Sequence, residues 1–144
     1  KVYDSDSPKT ALLNGDVDLG VVWSGEAAIL INEQGSKFAY HLPKEGGHMF
    51  IDNLAVPKGA ENVENAHKFI NYILRPDVHA GLTNKVFYAN PNKESKKFIK
   101  PEVASNPTVF PPEADMKKMA LPEAVTNDVR RTMTRMYTSF KTGV

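Results

Sequence analysis

VDLGVVWSGEAAILINEQG, residues 17–35, places a valine-rich run directly before a segment of helical character. The run VDLGVVW, residues 17–23, is followed by Ser24-Gly25, which is typical of a buried strand and its turn. Ser24 can cap a helix and Gly35 can end one, so EAAILINEQ between them predicts a helix. A strand that leads straight into a helix is the building unit of α/β proteins, and it predicts that fold class.

Two further strands are predicted after this helix. KFAYHL, residues 37–42, alternates in polarity and predicts a half-buried strand. GGHMFIDNLAVP, residues 46–57, is almost continuously apolar between two glycines and a proline, which predicts a strand in the protein interior. Asp52 interrupts this apolar run. Because an unpaired carboxylate in an interior costs several kcal/mol, we expect Asp52 to meet a cation.

The remainder of the chain is predicted to be helical. ENVENAHKFINYILRP, residues 61–76, carries its apolar side chains on one face of a 3.6-residue repeat. PDVHAGLTNK, residues 76–85, predicts a shorter helix opened by proline, and FYANPN, residues 87–92, predicts a loop. The proline-rich stretch 93–125 predicts short helical turns on a surface. NDVRRTMTRMYTSFKTG, residues 127–143, predicts a final amphipathic helix that ends at its glycine.

The composition is that of an ordinary globular protein. Hydrophobic residues make up 41% and charged residues 24% of the 144 positions, which argues against disorder of the whole chain. The net charge of +1 provides no field that favours nucleic acid or an anionic membrane. The absence of cysteine excludes disulfides and a thiolate nucleophile. KVYDSDSPKT, residues 1–10, lacks the apolar segment of a signal sequence, so we expect a fragment whose targeting segment has been removed.

Signatures of catalysis are missing from the sequence. It contains no G-x-S-x-G elbow, phosphate-binding loop or G-x-G-x-x-G string. Its four histidines, His41, His48, His67 and His79, form no H-x-x-x-H pair, so neither a metal nor a cofactor is predicted. No nucleophile and base can be paired, and an enzyme is therefore not expected.

Four side chains suit the binding of an organic cation. Trp23 closes the first predicted strand at its carboxyl end, where ligands bind in α/β sheets. Phe50 and Asp52 are two positions apart and share a strand face, and Tyr88 lies in the predicted loop. Aromatic faces attract ammonium groups, and a carboxylate adds a charge-assisted hydrogen bond. The alternatives are core packing of the aromatic residues and an ion pair between Asp52 and a lysine.

Three stretches resemble the second half of bacterial spermidine/putrescine-binding proteins, the extracytoplasmic receptors of polyamine ABC importers. They are YDSDSPKTALLNGDVDLGVVWSGEA, then PKEGGHMFIDNLAVPKGAENVENAHKFINYILRPDV, then the YANPN loop with the NDV helix. The strings W-S/N-G-x-A and P-K-E-G-G-x-x-x-x-D-x-L-A-I/V-P are together specific for that family. The resemblance covers essentially the whole chain in unbroken order, and it implies that the first half of the receptor is absent.

The resemblance implies an α/β fold that is the C-terminal half of a two-lobed periplasmic-binding protein of type II. Residues 1–49 and 93–144 would belong to one lobe, and residues 50–92 would cross into the other, with hinges near 50 and 92. It also implies capture of spermidine or putrescine and docking onto an ABC permease. The implied location is periplasmic or extracellular, with a lipid anchor in a segment outside these residues as a further option.

The resemblance assigns a role to five side chains. Trp23 would lie against the methylene chain of the polyamine, and Phe50 would form an aromatic wall where other members often carry tryptophan. Asp52 would pair with an amino group, and Tyr88 would line the cleft. Thr126 falls where some members carry a glutamine that hydrogen-bonds an amine, and threonine has a shorter reach.

Two alternatives stay open. One is a receptor of the same fold for another small organic cation or solute, such as thiamine or an amino-acid-derived cation. A fragment that has lost its partner segments would instead expose apolar surface and form a homo-oligomer without binding ligand.

Overall fold

A computed structural model describes residues 7–143 of the chain. The elements found in this range are α1 (Pro8–Asn14), α2 (Ser24–Gln34), β1 (Gly47–His48), α3 (Val63–Ile73), α4 (Pro76–Val86), α5 (Pro101–Ala104), α6 (Glu113–Met116), β2 (Met119–Ala120) and α7 (Asn127–Thr142), with 3-10 turns at Gly35–Lys37 and Lys93–Phe98. The first six residues of the opening segment KVYDSDSPKT lie outside the described residues. None of the helices in residues 7–143 is both long and apolar enough to cross a membrane.

The two short strands form a parallel pair. Gly47 lies opposite Met119, and the N–H of Met49 extends the ladder by donating to the carbonyl of Ala120 at 2.9 Å. Gly46 precedes β1 with a φ of +98°, and a Cβ at this position would collide with the carbonyl of Lys118. A glycine is therefore required where the chain enters this pairing. Helices with a small sheet are compatible with the predicted α/β class.

The first predicted strand, residues 17–23, is wrong. It forms no β pairing, and Leu19 and Val21 are 89% and 96% exposed. The third predicted strand, residues 46–57, is wrong beyond β1, since Ile51 is exposed and Asp52 does not lie in an interior. A strand needs a neighbour to satisfy its backbone N–H and C=O groups, and residues 7–143 supply only β2.

The second predicted strand is half correct. Phe38, Tyr40 and Leu42 are partly buried while the intervening residues are exposed, which confirms the predicted alternation. The segment nevertheless remains without β pairing in the described chain. A polarity pattern therefore reports which face is covered, and it does not guarantee a partner strand.

The helices follow the predicted pattern closely. Four predicted helices are confirmed as α2, α3, α4 and α7, and the predicted loop and short turns are also present. Ser24 is the first residue of α2 and makes no capping hydrogen bond, so its predicted capping role is wrong. The helix α1 was not predicted, although Pro8 at its first turn and Gly15 at its end are ordinary boundary signals.

A small core joins α2 to α4. Ala28 of α2 and Ala80 of α4 are each 1% exposed, and together they pack with the buried side chains of Ile99, Val103 and Val109. Alanine at these positions allows the two helices to approach closely. This contact brings the beginning of α2 near the end of α4, where the predicted site residues Trp23 and Tyr88 lie.

The last helix, α7, is exposed along its whole length. Its apolar stripe is the predicted one, and the stripe consists of Val129, Met133, Met136, Tyr137 and Phe140, each between 46% and 67% exposed. The amphipathic pattern is confirmed, but the apolar face stays largely uncovered within residues 7–143.

Candidate functional site

Three aromatic side chains from distant parts of the chain form one cluster. The ring centroids of Trp23 and Phe50 are 5.2 Å apart, and those of Phe50 and Tyr88 are 5.9 Å apart. Both pairs are edge-to-face, with interplanar angles of 76° and 70°. This geometry matches the preferred alignment of aromatic quadrupoles. Because Trp23 remains 49% and Phe50 44% exposed, part of their aromatic surface is accessible to a ligand.

Each aromatic side chain stands at the border of a regular element. Trp23 is the N-cap residue of α2, and Phe50 follows β1 by two positions. Tyr88 comes directly after Phe87, which ends α4 in the left-handed conformation at φ +57° and ψ +32°. This conformation is costly for a phenylalanine, and the packing of Phe87 against the core offsets that cost. The turn at Phe87 directs Tyr88 toward α2.

The Tyr88 ring lies directly on the backbone of Gly25. A Cβ added to Gly25 would overlap the ring, with its position 2.8 Å from Cδ2. The buried glycine of the W-S-G string therefore provides the space that Tyr88 occupies. The backbone of Gly25 also acts on the phenol and favours its charged form.

Two carboxylates act on this phenol. The pKa of Tyr88 is raised above its ordinary value, first by burial and next by the negative charge of Glu26. The Gly25 backbone opposes this shift, and the charge of Asp52 adds to it more weakly. The negative charges of Glu26 and Asp52 therefore both reach the aromatic cluster at Tyr88.

Asp52 is exposed and unpaired within residues 7–143. It forms neither an ion pair nor a hydrogen bond in this range, so the alternative of a structural pair with a lysine has no support there. The expected interior position of Asp52 is wrong, but its position beside the aromatic cluster leaves its charge available to a cation.

Glu26 was missed by the sequence analysis. It lies in the first turn of α2, and its Oε2 atom is buried without a hydrogen-bond partner in the described part of the chain. An acid in the first turn of a helix is favoured by the helix dipole, so its presence there does not by itself indicate a ligand site. Its place directly after W-S-G was the one available signal. A buried carboxylate oxygen without a partner favours a cationic neighbour.

Thr126 is not brought into the cluster. It is the N-cap residue of α7, and its Oγ1 accepts a hydrogen bond from the N–H of Val129 at 3.4 Å. No described contact joins it to Trp23, Phe50 or Tyr88. Nor do any three His, Asp or Glu side chains converge on a metal site within residues 7–143.

The sequence profile of the bacterial extracellular solute-binding protein family matches residues 1–111. The chain is 38% identical over 109 residues to the spermidine/putrescine-binding periplasmic protein of Escherichia coli K12, an alignment of 76% of this chain and 31% of that relative. It is 35% identical over 137 residues to the putrescine-binding periplasmic protein PotF of the same strain, covering 92% of this chain and 37% of the relative.

A third relative is the putrescine/agmatine-binding protein of Pseudomonas aeruginosa PAO1, which is 32% identical over 148 aligned residues. This alignment covers 99% of the chain and 40% of the relative. The chain thus spans roughly a third of the length of the curated relatives it matches. The matched range includes Trp23, Gly25, Phe50, Asp52 and Tyr88. The chain belongs to the bacterial extracellular solute-binding protein family.

Proposed function

We propose that this chain is part of an extracytoplasmic receptor that captures a polyamine, putrescine or spermidine, and delivers it to an ABC importer. The observation that carries the proposal is the pair of unpaired carboxylates, Asp52 and Glu26, whose charges both act on Tyr88 of the aromatic cluster. The names of the matched relatives, which bind spermidine, putrescine or agmatine, support it independently.

The chemistry of a polyamine matches each part of this site. The exposed surfaces of Trp23 and Phe50 would cover its methylene groups, and each aromatic face would attract an ammonium group by roughly 0.5–2 kcal/mol. Asp52 and Glu26 would each provide a charge-assisted hydrogen bond to an amine. Tyr88 would line the site with its ring and contribute its phenol oxygen. No bond is made or broken in this function, which consists of capture, closure and docking.

The role of Thr126 is proposed on the resemblance alone. Its Oγ1 already accepts the capping bond from Val129, and the ammonium group of a ligand would donate to its remaining lone pair. Threonine has a shorter side chain than the glutamine of other members, so its hydroxyl would reach less far toward an amine.

The chain would form the C-terminal part, roughly a third by length, of a two-lobed receptor of type II, in the periplasm or outside the cell. Residues 1–49 and 93–144 would contribute to one lobe, and residues 50–92 would cross to the other. The core at Ala28, Ala80 and Ile99 joins all three segments, so a hinge near 50 or 92 would have to keep α2 and α4 together.

Calorimetric titration of the complete gene product tests the proposal. We expect putrescine or spermidine to bind with micromolar affinity or better, and 1,4-butanediol, which has the same carbon chain without charge, not to bind. A preference for agmatine or thiamine would identify the alternative receptor for another organic cation. Failure to bind any of these cations would contradict the proposal.

A further inference from the structure

A polar network reaches from the core to the loop that carries Tyr88. In the described part of the chain, Thr83 and Ser95 are the polar residues that are fully buried, at 2% and 1% exposure. Both contact the same side chain: Asn90 Nδ2 donates to Thr83 Oγ1 at 2.7 Å, and the Ser95 hydroxyl lies 2.8 Å from Asn90 Oδ1. Buried polar groups tolerate few arrangements, because a lost partner leaves a costly unsatisfied atom.

The network also fixes the backbone that follows Tyr88. The N–H of Asn92 donates to Asn90 Oδ1 at 3.0 Å, and Asn92 Nδ2 donates to the carbonyl of Leu74 at 2.8 Å. The loop 87–92 has no regular secondary structure of its own. These side-chain hydrogen bonds therefore replace the backbone ladder that a helix or strand would provide.

The other side of Tyr88 is fixed by shape. The ring rests on Gly25, where no side chain larger than hydrogen fits, and it meets the Phe50 ring edge to face. Phe87, directly before it, is anchored in the core in its left-handed conformation. The Tyr88 ring is thus held by its contacts with Gly25 and Phe50. The backbone is held two residues later by the hydrogen bonds of Asn90.

We propose that Asn90 is a positioning residue of the ligand site, which acts by holding the Tyr88 ring between the Gly25 backbone and Phe50. This inference rests on the proposed function, since the site it serves is the polyamine site. The apolar core against which Phe87 packs contains Ile99, Val103 and Val109, and Asn90 is not among its members. The hydrogen bonds of Asn90 instead fix the direction of the backbone that leaves α4.

A double-mutant cycle on the complete receptor tests whether Asn90 acts through Tyr88. Affinity for putrescine and spermidine is measured by calorimetry in Asn90→Ala, Tyr88→Ala and the double variant. We expect Asn90→Ala to weaken binding by about three- to thirtyfold, and to have almost no further effect once Tyr88 is alanine. An equal loss in both backgrounds would overturn the inference.

Asn84→Ala is the matched control. Asn84 lies on α4 and makes two side-chain hydrogen bonds, to the carbonyl of Phe98 at 3.3 Å and from the N–H of Lys100 at 2.9 Å. Loss of the Asn84 side chain should therefore destabilise the fold about as much as loss of Asn90, but its bonds do not involve the Tyr88 loop. We expect Asn84→Ala to lower the melting temperature without changing polyamine affinity. Equal affinity losses in Asn84→Ala and Asn90→Ala would reduce Asn90 to a structural residue.

A second readout does not depend on any ligand. Burial raises the pKa of Tyr88, so release of the loop should lower that pKa toward its ordinary value. The Tyr88 signal is obtained by absorbance titration at alkaline pH, as the difference from the same titration of Tyr88→Phe. Its pKa should decrease in Asn90→Ala but not in Asn84→Ala. An unchanged Tyr88 titration in Asn90→Ala contradicts the inference, even if the receptor binds no polyamine. If Asn90→Ala does not fold, two variants of Thr83 replace it. Thr83→Val removes one hydrogen bond of the same network, and Thr83→Ser keeps it.

Discussion

Trp23 and Phe50 lie 27 positions apart in the chain, yet their rings meet edge to face with centroids 5.2 Å apart. The contact joins the beginning of α2 to the segment that follows β1. Both rings remain about half exposed, so the contact does not bury them in a core. An ordered aromatic surface that stays accessible is suited to the methylene chain and ammonium groups of a ligand.

Phe50→Trp should strengthen polyamine binding. Indole presents a stronger cation–π face than a phenyl ring, and we expect about a two- to fivefold gain in affinity, measured by calorimetry on the complete receptor. Phe69→Trp, an exposed position on α3 outside the cluster, serves as the control and should leave affinity unchanged. A loss of affinity in Phe50→Trp alone would mean that the position is limited by space and not by attraction to a cation.

Glu26→Gln should weaken binding and also lower the pKa of Tyr88. The charge of Glu26 is the second cause of the raised phenol pKa, after burial, so its removal shifts that pKa toward the ordinary value. Absorbance titration of tyrosinate detects the change. Glu33→Gln removes an exposed carboxylate from the far end of the same helix and should have neither effect. A Tyr88 pKa that does not respond to Glu26→Gln would place that carboxylate away from the site.

Stability should decrease at alkaline pH in part because of Tyr88. Its pKa is higher in the folded protein than in the unfolded chain, so folding favours the neutral phenol. This contribution is fully present below about pH 10 and is lost as the pH rises through the folded value. Urea unfolding between about pH 8 and pH 11 should therefore show a steeper decline for the wild type than for Tyr88→Phe. Parallel profiles would indicate that the phenol is not buried.

The 144-residue chain on its own should self-associate. The apolar stripe of α7, centred on Met136, is exposed in a helix that packs little against other elements. Light scattering should show a mass that rises with concentration, and Met136→Lys should reduce it. Thr138→Lys changes the opposite face of the same helix and should not. A concentration-independent monomer would exclude association through α7.

The helices could be predicted from the sequence because their signals are local. Apolar spacing, proline at a first turn and a terminal glycine located α2, α3, α4 and α7 correctly. The strands could not be located in the same way, since a strand depends on a neighbour that no local pattern reveals. Residues 17–23 have the composition of a buried strand, yet Val21 is 96% exposed.

Only part of the site could be predicted, because residue type can be read from the sequence and contacts between distant residues cannot. Trp23, Phe50, Asp52 and Tyr88 were selected by residue type and by family resemblance, and the three rings do meet. Glu26 was not selected, because an acid in the first turn of a helix needs no special explanation. Its unpartnered buried oxygen and its effect on Tyr88 become visible only in three dimensions.

Calorimetric titration of putrescine into the complete receptor and its Asp52→Asn variant tests the central claim most directly. The change removes the charge and keeps the size of the side chain. If Asp52 pairs with a ligand ammonium group, affinity should fall by about tenfold to several hundredfold, while Glu61→Gln, at an exposed carboxylate, should leave it unchanged. Equal affinity in the wild type and in Asp52→Asn would contradict the account.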